Sequence, residues 1–476
     1  PPEQPVFITV TCDGGLVIVP RDSTRTLDDS AQTGPNAVTP DSQRAGLVNV
    51  DAERTTFVAQ TIDYNAITGD VVAGGLSELA YYASSATPGE VNEPNVPVTI
   101  TARGGVRYFK ASNQAIFKDC LCRMPQRNLS EPREVTFSAP QMTVNLPPEK
   151  SKQPDLLATG PTELVFYTED VNRPATEQGP IPVTVTARKL ARYIGASSQM
   201  LFEGNCRCTM LREDPNVLVE YVLLSEQLSV DLAQDVNAPT AGPVAGVKYL
   251  SATGDVVSLA TTRRAKAGGE FAQALQQTNG KGLLGGIELK CRKFDYDAVR
   301  QLFLATGPGV IKLNNSQPAV PEPNESSTGF SLRKPCWAIL DRFETLKYLI
   351  GENRIVADAG SRNMLIGYLS TAETQQQEPV WAEAPHIEAL LRETPEAQTE
   401  LLALTATGGV YYQDSDNRFR GSTLFYDYTT GRVNVWGDAS QPCDYNGVPV
   451  DGIELDMNTG KVKANVVGPG ALQLNR

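Results

Sequence analysis

The sequence predicts an all-β chain, an elongated stack of repeated units built from short strands and tight turns. Three observations predict it. Apolar and polar residues alternate in short runs, which is the period of a half-buried strand. Gly, Asn or Asp interrupts the runs at intervals of about ten residues, and these residues supply the positive φ that tight hairpin turns require. Long phrases also recur at nearly fixed offset, the mark of a repeat architecture. The pattern is clearest from Ala406 to Leu474, through Ala-Thr-Gly-Gly-Val-Tyr-Tyr, Phe419-Arg-Gly, Tyr426-Asp and Asn446-Gly to Gly468-Pro-Gly.

The totals narrow the function classes. At 476 residues the chain has the length of about three ordinary domains. Its 42 basic and 55 acidic residues give a net charge of −13. That balance argues against nucleic acid as the main partner, because phosphate binding needs clustered Lys and Arg. No apolar run reaches the roughly 18 residues of a membrane-spanning helix. The opening Pro1-Pro-Glu-Gln-Pro has neither a basic nor an apolar segment, so any export signal is expected to be absent or already removed. A single histidine, His386, leaves a Ser-His-Asp triad or a multi-His metal site almost nothing to work with. The expectation is a binding protein that is not an enzyme and needs no cofactor.

In chain order, residues 7 to 19 read as a strand, a Gly14-Gly15 turn and a second strand. Residues 21 to 45 read as a loop, and strands resume at Thr55. Two long copies follow. Pro97-Val-Thr-Ile-Thr-Ala-Arg, Arg107-Tyr108, Cys120-Leu-Cys and Gln141-Met-Thr-Val-Asn-Leu answer Pro182-Val-Thr-Val-Thr-Ala-Arg, Arg192-Tyr193, Cys206-Arg-Cys and Gln227-Leu-Ser-Val-Asp-Leu. The offset is 85 at the prolines (97 to 182) and 86 at the cysteines (120 to 206). Farther on, Tyr-x-x-x-Thr-Gly-x-Val occurs at Tyr64, Tyr249 and Tyr426, and Gly-Pro-Gly at Gly307 and Gly468, both read as turns. Segments 263–281 and 315–328 read as loops, and Ile387-Glu-Ala-Leu-Leu-Arg-Glu as one or two helical turns. These divisions predict five units: 1–76, 77–160, 161–240, 241–330 and 331–476. A lone hairpin cannot bury its apolar face in water, whereas strands repeated side by side share one continuous core.

The phrases Ala406-x-Gly-Gly-Val-x-Tyr, Phe419-x-Gly and Tyr426-Asp-x-x-Thr-Gly-x-Val-x-Val-x-Gly resemble the LptA/OstA-like family, the β-jellyroll bridge proteins of lipopolysaccharide transport. Ala102-Arg-Gly-Gly-Val-Arg-Tyr carries the first phrase well, while Ala187-Arg-Lys-Leu-Ala-Arg-Tyr has lost both glycines. The match is best over the last 80 or so residues. The resemblance implies a two-sheet, V-shaped, solenoid-like body in the periplasm or cell envelope. It would hold acyl chains in an apolar trough and convey lipopolysaccharide or a similar amphipathic lipid along it. Partners would be that lipid, and other envelope proteins or a second copy joined by edge-strand pairing. The chain departs from the family in length and cysteine content. The alternative is a structural β-solenoid or filament subunit with a closed core and no lipid cargo.

Candidate lipid-contacting residues are the apolar rows at strand period: Val106, Tyr108, Val410, Tyr412, Phe419, Tyr426, Val433 and Val435. Core packing explains the same pattern. The pairs Cys120/Cys122 and Cys206/Cys208 each place two sulfurs on one strand face. They read as small buried side chains or inter-strand disulfides, or, if the two copies stack, as a four-thiol metal site. Asp295, Asp297, Asp427 and Asp456 read as turn residues before acid–base catalysts. His386 reads as a loop residue. Arg103/Arg107 and Arg188/Arg192 read as a solvated face or an anion-binding rim.

Overall fold

The structure, a computed structural model, describes residues 7–18, 56–81, 98–126, 129, 131, 133–146, 154–168, 179–214, 216–232, 247–266, 268–269, 282–316, 335–371, 379–393, 399–457, 459–466 and 471–474. Nearly all of this is strand, 28 in number. The chain divides into two compact units, Pro1–Cys206 with Ser229–Ala238, and Arg207–Leu228 with Pro239–Arg476.

The strands of the first half are β1 (Phe7–Ile18), β2 (Thr56–Asn65), β3 (Val71–Tyr81), β4 (Val98–Ala102), β5 (Val106–Phe109), β6 (Gln114–Gln126), β7 (Arg133–Asn145), β8 (Asp155–Thr159), β9 (Thr162–Thr168), β10 (Ile181–Ala187), β11 (Leu190–Ile194), β12 (Gln199–Glu213) and β13 (Val217–Leu232). Those of the second half are β14 (Val247–Ala265), β15 (Leu283–Asp297), β16 (Leu302–Asn315), β17 (Cys336–Leu349), β18 (Arg354–Asp358), β19 (Met364–Ser370), β20 (Val380–Ala384), β21 (His386–Glu393), β22 (Thr399–Gln413), β23 (Arg418–Asp427), β24 (Arg432–Trp436), β25 (Asp444–Tyr445), β26 (Val448–Asp456), β27 (Lys461–Val466) and β28 (Ala471–Leu474).

Pairing is antiparallel, and most neighbours in the sheet are also neighbours in the chain. Within each unit, long strands carry register irregularities that divide them into two arms. The ladder shifts register between Thr11 and Leu16, Ala59 and Thr61, Thr253 and Val257, Lys290 and Lys293, Thr306 and Gly309, and Thr407 and Val410. Where a long strand bulges, its partner is often two short strands. β6 pairs with β4 on one side of the break and β5 on the other, and β17 pairs likewise with β19 and β18. A bulge adds a residue and bends the strand, so aligned bulges fold the sheet along a seam.

Glycine enables the bend at the seam. Gly105 has φ +84, and a β-carbon there would run into the carbonyl oxygen of Ala73. Gly408 (φ +87) and Gly409 (φ +111) form the seam of β22 beside Pro385.

The seam corrects two expectations. Residues 7–18 form one strand, with Gly14-Gly15 inside its bulge and not at a hairpin tip. Gly307-Pro308-Gly309 likewise lies within β16. Residues 386–393 are strand and not helix, because Ala357, Ile387 and Ala406 align across three strands with period two. Gly468, and most of the loops expected at 21–45, 263–281 and 315–328, lie outside the described residues.

Register is fixed by unbroken apolar rows. In the second unit, one row runs Leu250, Tyr296, Phe303, Tyr348, Ile355, Ala389, Leu404, Tyr426, Val433, Leu455, Val462. A slip of one residue would send all of these to the outer face. In the first unit, Ile62, Ala73, Val106, Phe117, Met142, Ala158, Ala191 and Phe202 form such a row, every member at most 6% exposed. Burying a side chain such as Phe117 contributes roughly 1.5–3 kcal/mol.

The internal repeat is visible in side-chain detail. Gln114 Nε2 donates to Asn145 Oδ1 at 3.0 Å, and Gln199 Nε2 to Asp231 Oδ1 at 2.7 Å. A wider repeat lies at the hairpin tips. Tyr64, Tyr108, Tyr193, Tyr296, Tyr348 and Tyr426 are each followed, five residues on, by a positive-φ residue: Gly69, Asn113, Ser198, Gln301, Asn353 and Gly431.

Candidate functional site

The second unit contains a space between its arms. One inner row of the first arm runs Leu289, Ile311, Leu340, Ile366, Ala382, Tyr412 and Phe419. The second arm contributes the row through Tyr348, Ile355, Ala389 and Leu404, and beside it Ala305, Leu346, Ala357, Ile387, Ala406 and Leu424. Side chains from both arms line one cavity of about 260 Å³, and none of its lining residues is charged. The arms therefore face each other across it.

Fully buried and half-buried side chains share the cavity wall. Tyr412 (2% exposed), Tyr426 (4%) and Val433 (1%) are fully buried. Leu340, Ile366, Tyr368, Val380, Ala382, Ile355, Leu391, Leu401 and Leu404 line the same space yet are only half-buried. Apolar side chains on the inner faces thus remain within reach of solvent, an arrangement that favours an apolar occupant.

Of the eight expected lipid-contacting residues, the structure brings Tyr412, Tyr426 and Val433 together on the cavity wall. Val410, Phe419 and Val435 are buried in the same unit but do not line the cavity. Phe419 stacks on Tyr412 with ring centroids 4.2 Å apart and planes 5° from parallel. Val106 and Tyr108 belong to the first unit. Val106 packs in the closed row between Ala73 and Phe117, and half-buried Tyr108 donates from Oη to Asn113 Oδ1 at 2.8 Å. Most of the wall was not singled out from the sequence, notably Ile311, Leu340, Ile366, Ala382, Ile387 and Leu404. Its signal was present as period-two alternation in 336–349 and 380–391.

Among the described side chains, Cys120, Cys122, Cys206, Cys291, Cys336 and Cys443 are buried and Cys208 is half-buried. Cys120 and Cys122 are 4% and 0% exposed, and Cys122 sits in an apolar row with Ile100, Phe137, Leu164 and Val185. Burial pushes the Cys120 thiol up to about 11, and those of Cys122 and Cys208 up to about 12. Among the described residues no cysteine is joined in a disulfide, and no group of three or more His, Cys, Asp or Glu is placed to hold a metal. The disulfide and four-thiol expectations are therefore corrected. The physical reason is that the copies do not stack directly: strands β7, β9 and β10 lie between the two cysteine strands.

The chain matches no family model, no curated protein and no solved structure.

The acidic candidates divide. Asp297, Asp427 and Asp456 end strands and accept from the backbone N–H groups of Arg300, Thr429 and Thr459 at 3.0, 2.9 and 3.1 Å, as turn residues do. Asp295 instead lies within β15, 6% exposed. It accepts from Tyr249 Oη (2.7 Å) and Ser251 Oγ (2.6 Å) and pairs with Lys293 Nζ (2.8 Å). That makes Asp295 a satisfied outer-face carboxylate, not a turn residue. His386 is also not in a loop. It opens β21, with Nδ1 2.6 Å from Asp358 Oδ1 and Nε2 3.4 Å from Glu388 Oε1. The hydrogen bond to Asp358 raises its pKa, burial opposes that rise in part, and the hydrogen bond to Glu388 adds to it.

Chemically, the cavity can remove hydrocarbon from water, at about 25 cal/mol per Å² of apolar surface. Among the described residues no helix is long and apolar enough to cross a membrane.

Proposed function

We propose that the protein binds an amphipathic lipid, with its acyl chain in the trough between the arms of the second unit. In this reading the fold is an LptA/OstA-like β-jellyroll, and the protein is a bridge of the periplasm or cell envelope. It conveys lipopolysaccharide or a similar lipid along its apolar rows, without covalent chemistry. One observation carries the reading: a cavity of about 260 Å³ walled by uncharged side chains, many of them only half-buried. The unbroken rows add to it, since successive strands offer an acyl chain near-equivalent positions. Edge-strand pairing with another envelope protein or a second copy would extend the path.

Native mass spectrometry of protein purified without detergent tests this. Co-purified lipid, displaced on adding lipopolysaccharide and reduced in Leu404→Arg, is the expected result. Protein free of lipid that also fails to bind a fluorescent acyl probe refutes it.

The first unit favours a second reading, a structural β-solenoid. Phe117, Met142 and Phe202, each at most 1% exposed, fill its inner row with large side chains. A protein whose second unit also binds no acyl probe would be of that kind.

A further inference from the structure

On the outer side of the seam in the second unit, we infer a saccharide-binding pocket built around Tyr411, Arg420 and Gln441. The pocket has a volume of about 470 Å³ and is also lined by Asn363, Asp444 and the backbone of Gly408, Gly409 and Gly421. Nothing in the lipid reading uses it, because Tyr411 alternates with Tyr412 along β22 and faces away from the trough.

Three independent features make it a built site. The Arg420 guanidinium lies over the Tyr411 ring, 5.5 Å from its centroid, so the long side chain is held in place. The segment carrying Gln441 is fixed by Asp438, whose carboxylate accepts from the N–H groups of Ser440 and Gln441, both at 2.8 Å, and from Ser440 Oγ at 2.6 Å. Gln441 Nε2 donates to the Gly408 carbonyl at 3.2 Å, which leaves Gln441 Oε1 buried without a hydrogen-bond donor. A buried acceptor in that state is unfavourable unless something supplies a donor. Gly409 makes room for the Gln441 amide, since a β-carbon there would meet it at 2.6 Å.

The lining chemistry selects the ligand. One guanidinium, of Arg420, and one carboxylate, of Asp444, line the pocket, so it carries no excess positive charge for a phosphate or another anion. Carboxamides, a guanidinium and a carboxylate together offer donors and acceptors side by side. A pyranose, whose hydroxyls both donate and accept, matches that mixture, and its C–H face suits an aromatic ring.

A free oligosaccharide and the sugar of a glycolipid present the same chemistry, so the test uses both. Calorimetry and saturation-transfer NMR on the full chain would use maltotetraose, chitotetraose, octyl glucoside below its micelle concentration, and inorganic phosphate. The expected result is saturable binding of at least one free tetrasaccharide at or below about 10 mM, weakened about tenfold or more by Tyr411→Ala and by Gln441→Ala. Tyr411→Phe retains it, and so does the trough variant Leu404→Arg, which separates this pocket from the lipid site. Octyl glucoside binding that Leu404→Arg abolishes, without free-sugar binding, overturns the inference. So does binding of phosphate alone, or no saturable sugar binding. If Tyr411→Ala fails to fold by circular dichroism, Gln441→Ala and Asn363→Ala carry the same test.

Discussion

Substituting phenylalanine for Ala338 puts a large side chain where the trough is unfilled. Ala338 is half-buried on the cavity wall, in one row with Leu313, Tyr368 and Val380. The trough is open to solvent, so filling it stabilises by taking its apolar wall out of water, at about 25 cal/mol per Å² of surface covered. A phenyl group covers part of that wall, and the lipid-free protein should gain about 1–2 kcal/mol. For a unit of this size that raises Tm by about 2–4 °C per kcal/mol. The same substitution removes room for an acyl chain, so affinity for a fluorescent acyl probe should fall about tenfold or more. Thermal unfolding of delipidated protein and probe titration read the two effects separately. In a close-packed core the substitution would instead cost about 1–3 kcal/mol. A fall in Tm of that size with probe affinity unchanged would refute the reasoning, because the space would then be neither empty nor used.

Three further outcomes are expected. Gly447→Ala should cost about 1–2 kcal/mol in denaturant unfolding, for φ +85 in open space, whereas Gly105→Ala should cost about 3 kcal/mol or more, because its methyl group also strikes Ala73; equal costs would remove the steric role of the seam. Because the folded pKa of His386 is raised above its ordinary 6.5, its pairing with Asp358 stabilises fully below that value and is lost as pH rises through the folded pKa; urea midpoints measured across this window should fall for the native protein and stay flat for His386→Gln. Cys122, Cys208 and Cys336, with pKa values pushed up to about 12 by burial, should resist a thiol reagent at neutral pH until the protein unfolds, and prompt labelling of the native state would contradict their placement.

Much of the fold was legible in the sequence because the strand period is a local property. Val410/Tyr412 and Val433/Val435 announced buried faces, and they are buried. The seam was harder to see. A Gly-Gly pair signals positive φ, and a hairpin tip and a bulge both satisfy it. Gly14-Gly15 and Gly408-Gly409 therefore look like the tight turn at Asn446-Gly447, and only the register of the neighbouring strand separates them. Ile387-Glu-Ala-Leu-Leu shows the complementary failure, since a short apolar run fits either period until Ala357 and Ala406 are found on both sides of Ile387. The trough was the least legible element, because it depends on which small residues meet across strands far apart in sequence.

That placement of small residues explains why a continuous apolar row opens into a cavity at one place. Toward β14, the inner rows carry Phe294, Tyr296, Phe303 and Tyr348, whose rings stack with centroids 4.9–6.1 Å apart. Toward β23, they carry Tyr412 stacked on Phe419. Between these aromatic groups the wall turns largely to Ala338, Ala357, Ala382 and Ala389, with aliphatic side chains and Tyr368 among them. Backbone spacing within the sheet is constant from strand to strand, so replacing rings by methyl groups on both facing arms withdraws side-chain volume without drawing the arms together. The space is then set by side-chain choice alone. It follows that Ile355→Phe, from the half-buried wall of the opposite arm, should lower probe affinity as Ala338→Phe does with a smaller gain in Tm, and that the double variant should gain less than the two single gains combined, because both rings compete for one volume.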